Sequence, residues 1–179
     1  MNFDRRGFIK GGAAVAMAAA FPAVAQAHAS SGTRALKIYN VNNRESIHAT
    51  FVRDGKYDQE GIRQLNHFMR DWRNNQVHNI DLDVFEILYG IQTHLGVQES
   101  GLHLISGYRS PATNRMLRSR SSGVAKYSLH LDGRAADIRV PGVNLWKLRE
   151  TALKLRAGGV GYYTGSNFVH VDNGRVRTW

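Results

Sequence analysis

The chain has 179 residues and not one cysteine. No disulfide can staple it, no thiolate can bind a metal, and no cysteine nucleophile or lipid-anchored cysteine is available. The fold must therefore rest on a buried apolar core, and any metal centre must be built from His, Asp and Glu. Hydrophobic residues at 42% supply such a core, and three prolines with no repeats or long polar tracts exclude a fibrous or disordered chain. The length suits one domain.

The first 27 residues read as an address. Asp4-Arg5-Arg6-Gly7-Phe8-Ile9-Lys10 leads into a short, weakly apolar run from Gly11 to Phe21 and then Ala25-Gln26-Ala27, an A-x-A cleavage site. The paired arginines before Phe8 and Lys10 resemble a twin-arginine export signal. The apolar run falls short of the roughly 18 to 20 residues that span a bilayer, so no transmembrane anchor is expected after cleavage. Removal of residues 1–27 takes Asp4, Arg5, Arg6 and Lys10 from a chain of formal charge +10 and leaves a mature domain, residues 28–179, at +8. Such a surplus favours an anionic partner, and outside the inner membrane that means cell wall or lipid head groups. The densest part, Arg115, Arg118, Arg120 and Lys126, also fits a solvated face. No nucleic-acid motif is present.

In the mature part, Leu36–Tyr39 and Ile47–Val52 flank Asn42-Asn43 and predict a hairpin. Ile62, Leu65, Phe68, Met69 and Trp72 recur at helical spacing and predict a helix over 58–74. A second helix is expected from the Asp81 cap to Gly96, and Ser110-Pro111 opens a third. Leu102–Ile105 and Ala135–Val140 read as strands. Leu145, Leu148, Ala152 and Leu155 mark a last helix, and Val160–Tyr163 and Phe168–Asp172 form a hairpin about Thr164–Asn167. The expected class is α+β: a small antiparallel sheet with helices packed on it.

Two segments carry chemistry. In Phe168-Val169-His170-Val171-Asp172 the period of two puts Phe168, His170 and Asp172 on one face and both valines on the other. Ser128-Leu129-His130 leads through a loop to Asp137 on a neighbouring strand. Two histidines and a carboxylate meeting on the open face of the sheet suffice for a zinc site with one position left for water, the ligand set of amide hydrolysis. The same spacing also fits two hydrogen-bonded structural histidines.

Ser128-x-His130-x6-Asp137 followed by Phe168-Val169-His170-Val171-Asp172 resembles the zinc peptidases of the D-alanyl-D-alanine peptidase and hedgehog type. Ser106-Gly107-Tyr108-Arg109-Ser110 and Gly158-Gly159-Val160-Gly161-Tyr162-Tyr163 narrow the likeness to murein endopeptidases of the YcbK (MepK) type, over about Leu36 to Trp179. The resemblance implies a periplasmic enzyme that uses Zn2+ to cut peptidoglycan cross-linked peptides, at direct bonds between two diaminopimelate residues. By motif, His130, Asp137 and His170 are its metal ligands. Arg109 is a contact to substrate carboxylate or carbonyl, or else a buried ion pair that holds its turn. Several relatives place Glu or Asp three residues before the last histidine; here that residue is Asn167, which cannot take a proton but can orient water or bind substrate. Asp172 is then the candidate for general base or for support of the metal site. Tyr162 and Tyr163 lie near the expected cleft, where a hydroxyl can stabilise an oxyanion, and the same residues also fit strand tyrosines packed in the sheet. Two other functions fit the same residues: a D,D- or L,D-carboxypeptidase, and a wall-binding module without turnover.

Overall fold

A computed structural model describes residues 32–121 and 123–179; the leader expected over residues 1–27 lies outside them. Strands β1 (Arg34–Asn40), β2 (Ser46–Arg53) and β3 (Lys56–Tyr57) come first, then helices α1 (Gln59–Phe68) and α2 (Leu82–His94), strand β4 (Leu102–Ser106) and helix α3 (Pro111–Arg120). A 3-10 turn at Leu129–Asp132 precedes β5 (Ala135–Arg139), α4 (Leu145–Leu155), β6 (Gly159–Tyr163), β7 (Phe168–Asp172) and β8 (Arg177–Thr178). The strands form one sheet in the order β3-β2-β1-β4-β5-β7-β6-β8.

The class is α+β as expected, with a larger and partly parallel sheet. β1 pairs with β4 and β6 with β8 in parallel; the other neighbours are antiparallel. A parallel pair needs a long connection, and the β2–β3 hairpin with α1 and α2 supplies it between β1 and β4.

Alternation along the strands decides which face the helices cover. Leu36 and Ile38 of β1, Leu102 and Leu104 of β4, Ala136 and Ile138 of β5, and Val169 and Val171 of β7 join one core with Val84, Leu88 and Ile91 of α2 and Leu148 and Ala152 of α4. The residues between them, His103, Asp137, Arg139, Phe168, His170 and Asp172, project to the opposite face. Asp81 and Ser110 cap α2 and α3 through their side chains, as read from the sequence.

The helix expected over 58–74 stops early. It starts at the Asp58 cap and ends at Phe68, with Met69 as its C-cap. The guanidinium of Arg70 turns back to donate to the His67 carbonyl at 3.0 Å and pairs with Glu45 at 2.7 Å. Asp71 is buried against the backbone N–H of Ser110, 2.9 Å away. These tertiary contacts outweigh the helical periodicity, and Trp72 falls in a turn under the Arg73 guanidinium. Gly61 marks the close approach of α1 to β2: a Cβ there would overlap the carbonyl of Thr50. Gly61→Ala is expected to destabilise the domain by about 3 kcal/mol, seen as a lowered midpoint in chemical denaturation.

Candidate metal centre

The loop after β4 is the scaffold of the site. Gly107 packs against the carbonyl of Met69 so closely that a side chain would collide with it. Tyr108 N–H donates to that same carbonyl at 2.8 Å, and Arg109 N–H donates to the carbonyl of His130 at 3.0 Å. The Gly107 carbonyl in turn accepts from His130 Nδ1 at 2.7 Å. A carbonyl can only accept, so Nδ1 carries the proton and the lone pair of Nε2 is turned inward.

That lone pair meets two partners. His130 Nε2 lies 3.2 Å from Asp137 Oδ1 and 3.2 Å from His170 Nδ1, and His170 Nδ1 lies 2.9 Å from Asp137 Oδ1. The β5–β7 register sets Asp137 directly opposite His170, and the 3-10 turn brings in His130. One ligand atom from each of the three residues lies within 4.8 Å of the others, and all three residues are buried.

Converging electron-pair donors call for a positive charge among them. Burial disfavours the charged form of His170, but Asp137 on Nδ1 and Asp172 on Nε2 overcome it and raise the pKa to about 9. Burial likewise works against the Asp137 carboxylate, and the His130 and His170 rings nevertheless hold it well below the usual range. His130, enclosed and tied to a carbonyl, is pushed down chiefly by burial. Two nitrogens and a carboxylate oxygen that compete for one cation match the donor set of a hydrolytic zinc site.

Asp172 sits behind this cluster. It is 1% exposed, and His170 Nε2 approaches its Oδ2 at 2.9 Å. Both of its oxygens also accept from Arg177, at 3.0 and 2.7 Å, and Oδ1 accepts the N–H groups of Gly159 and Gly174 at 3.1 and 2.8 Å. Burial opposes its charge, and these donors, His170 first, keep its pKa depressed.

Arg109 is also brought in. Its guanidinium is buried, 3.5 Å from Asp137 Oδ2 and 3.3 Å from Asn114 Oδ1, and its Nε has no partner. Tyr163 lies close enough to act on it electrostatically. Asn167 is not brought to the cluster. It occupies a left-handed position, φ 53°, in the β6–β7 turn, a conformation asparagine tolerates well, and it lines a separate cavity with His103 and Arg139. Ser128 precedes the 3-10 turn and Asp132 ends it, neither with a side-chain bond to the three residues.

Two residues missed from the sequence complete the surroundings. Arg177 anchors Asp172, and the Trp179 ring lies 5.3 Å from that of His170 while its Nε1–H donates to Tyr163 Oη at 2.7 Å. Arg177 opens the short strand β8 and Trp179 follows its end, and two strand residues give no periodicity to read.

Comparison with known proteins agrees with this architecture. Residues 28–179 match the peptidase M15_2 family, described as peptidoglycan L,D-endopeptidase MepK, and residues 2–22 match the twin-arginine translocation signal sequence. The chain is 49% identical over 146 residues to the peptidoglycan L,D-endopeptidase MepK of Escherichia coli K12, covering 82% of this chain and 80% of that protein. It is 46% identical over 146 residues to the "Probable peptidoglycan L,D-endopeptidase MepK" of Haemophilus influenzae, covering 82% and 78%. No solved structure matches. Among the described residues no helix is long and apolar enough to cross a membrane. A leader of the twin-arginine type, a His-Asp-His cluster able to hold a metal and a match across residues 28–179 agree: the chain belongs to the M15_2 peptidase family.

Proposed function

We propose that this chain is a zinc-dependent murein endopeptidase, exported by the twin-arginine route to the periplasm, that hydrolyses peptide cross-links of peptidoglycan between two diaminopimelate residues. The convergence of His130 Nε2, Asp137 Oδ1 and His170 Nδ1 carries this reading. Zinc bound there supplies the Lewis acidity that activates a water and polarises the scissile carbonyl.

The protein's own groups do the rest. The Gly107 carbonyl fixes the tautomer of His130, and Asp172 accepts from Nε2 of His170 and keeps Nδ1 directed at the ion. With every lone-pair direction of Asp172 filled by Arg177, two backbone amides and His170, its role is to position His170 rather than to carry protons. Arg109 holds the second oxygen of Asp137, and its guanidinium, set beside the cluster, is the group that meets a substrate carbonyl or carboxylate. Tyr163 Oη accepts from the indole of Trp179, a group that can only donate, so its own O–H is free to donate into the cleft. Its target is the oxyanion of the tetrahedral intermediate. Tyr163→Phe is accordingly expected to lower kcat by about 100-fold with zinc content unchanged, measured by steady-state cleavage and metal analysis. The exposed basic side chains of α3, Arg115, Arg118 and Arg120, suit an anionic polymer.

The reading is tested by mass analysis of the products from a defined dimer cross-linked between diaminopimelates. Two monomeric muropeptides are the expected products. Release of a single terminal amino acid would replace the endopeptidase by a carboxypeptidase.

A further inference from the structure

Along β5 from Asp137, where the strand runs into the turn before α4, lies a cavity of about 310 Å³ that the proposed mechanism does not use. His103, Arg139 and Asn167 line it with the Val140–Val143 turn and Leu145. The register fixes its place. Arg139 follows Asp137 by two residues on β5 and stands opposite His103 of β4, so its Cα lies about 7 Å along the strand from that of Asp137. His103 pairs in register with Tyr39, whose ring is 4.9 Å from its own, and Phe168 stacks on Tyr163 with ring centres 4.6 Å apart. Tyr39, His103, Arg139, Phe168 and Tyr163 thus form a row across five strands, one step along from Asp137, His170 and Gly161.

Charge in this row is one-sided. The fully buried arginines have carboxylates, Arg34 with Glu86, Arg70 with Glu45 and Arg109 with Asp137, and half-buried Arg177 pairs with Asp172 and Arg134 bonds to Asn173. Half-buried Arg139 takes part in no ion pair or hydrogen bond among the described residues. The charged group it acts on is His103, which burial and then Arg139 disfavour as a cation. A planar guanidinium in a partly enclosed, unneutralised cavity is a fork awaiting a planar anion.

We propose that the Arg139–His103–Asn167 cavity is a subsite that binds a free carboxylate of the cross-linked peptide next to the scissile amide. This rests on the endopeptidase reading. Diaminopimelate fits because the residue that supplies the amide nitrogen carries a carboxylate on the carbon bearing that nitrogen, and its partner carries one at the far end of its side chain, whereas a neutral side chain would leave the guanidinium unmatched in the cavity. Arg139 grips the carboxylate, Asn167 adds a neutral donor, and Val140, Pro141, Val143 and Leu145 provide an apolar wall for the carbon chain. Recognition of charge one step from the cut selects where the enzyme cleaves.

The experiment compares the zinc-loaded protein with Arg139→Gln and Arg139→Lys on three dimeric muropeptides: one with all carboxylates free, one with the diaminopimelate side-chain carboxyls as primary amides, and one with the terminal carboxyls as amides. Arg139→Gln should lower kcat/KM on the free substrate about 10- to 100-fold, mainly through KM, and Arg139→Lys should recover part of it. On one amidated substrate parent and Arg139→Gln should become equal, which identifies the carboxylate bound. Equal losses on all three substrates, or no loss on any, would overturn the subsite. If the zinc-loaded parent cuts none of them, the hydrolase reading fails. The subsite is then judged by calorimetric binding of the same three dimers to parent and Arg139→Gln, with the same pattern expected in Kd.

Discussion

His130→Ala is expected to remove stoichiometric zinc binding and to reduce cleavage of cross-linked muropeptides by about 10³-fold or more, while leaving the far-ultraviolet circular dichroism of the domain in place. The expectation follows from how His130 is held. Its ring spends one nitrogen on the Gly107 carbonyl and presents the other to Asp137 and His170. Its substitution takes away one of three donors and leaves two that cannot close a site. The helices and strands pack through other residues, since the core runs along the opposite face of β5 and β7. His130→Gln separates shape from coordination: an amide of similar reach keeps much of the packing and is a poor ligand for zinc. Both variants should bind zinc weakly and both should be inactive. Full activity in either would remove His130 from the centre.

The second large effect is expected at Asp172. Asp172→Ala strands the Arg177 guanidinium, the N–H groups of Gly159 and Gly174 and the Nε2–H of His170 around an empty place in a buried setting. Breaking a buried pair in this way costs about 3 to 5 kcal/mol, enough to consume much of the stability of a domain of this size. Asp172→Asn is the informative companion. It keeps the shape and one accepting oxygen, so the protein should fold with a smaller loss. Zinc affinity should drop about 10- to 100-fold, because the imidazole of His170 loses its charged partner. At saturating zinc the Asn variant should regain most of its kcat, with the acid limb of its pH–rate profile unmoved. A general base at Asp172 would show the opposite: full zinc occupancy, no recovery and loss of the acid limb. Equilibrium unfolding, metal titration and the pH profile distinguish the two roles.

Much of this site was legible because β structure writes its faces into alternate residues. Phe168-Val169-His170-Val171-Asp172 separates a core face from a polar face without help from the rest of the chain, and Ala135–Arg139 does the same around Asp137. Caps were equally local: Asp81 and the Ser110-Pro111 pair announce their helices because the capping bond reaches only two or three residues ahead. What failed to show was decided across long distances. The helix stopping at Phe68 reflects Arg70 reaching Glu45 and Asp71 reaching Ser110, contacts that periodicity cannot contain. Pairing of β1 with β4 depends on where two intervening helices lie. Asn167, three residues before His170, was expected to orient water or bind substrate at the metal, yet the turn it occupies directs it to the Arg139 cavity. Arg177 and Trp179 lie in and just after a strand too short to leave a pattern.

The proposed function rests on one claim, that His130, Asp137 and His170 hold the zinc that makes this chain a hydrolase. The most direct measurement is cleavage of a defined diaminopimelate-linked dimer by the same preparation before and after chelator treatment, and again after one equivalent of zinc. Activity should disappear with the metal and return in full with that single equivalent. Undiminished cleavage by the chelator-stripped protein, or a fully zinc-loaded protein that leaves the dimer intact, would contradict it.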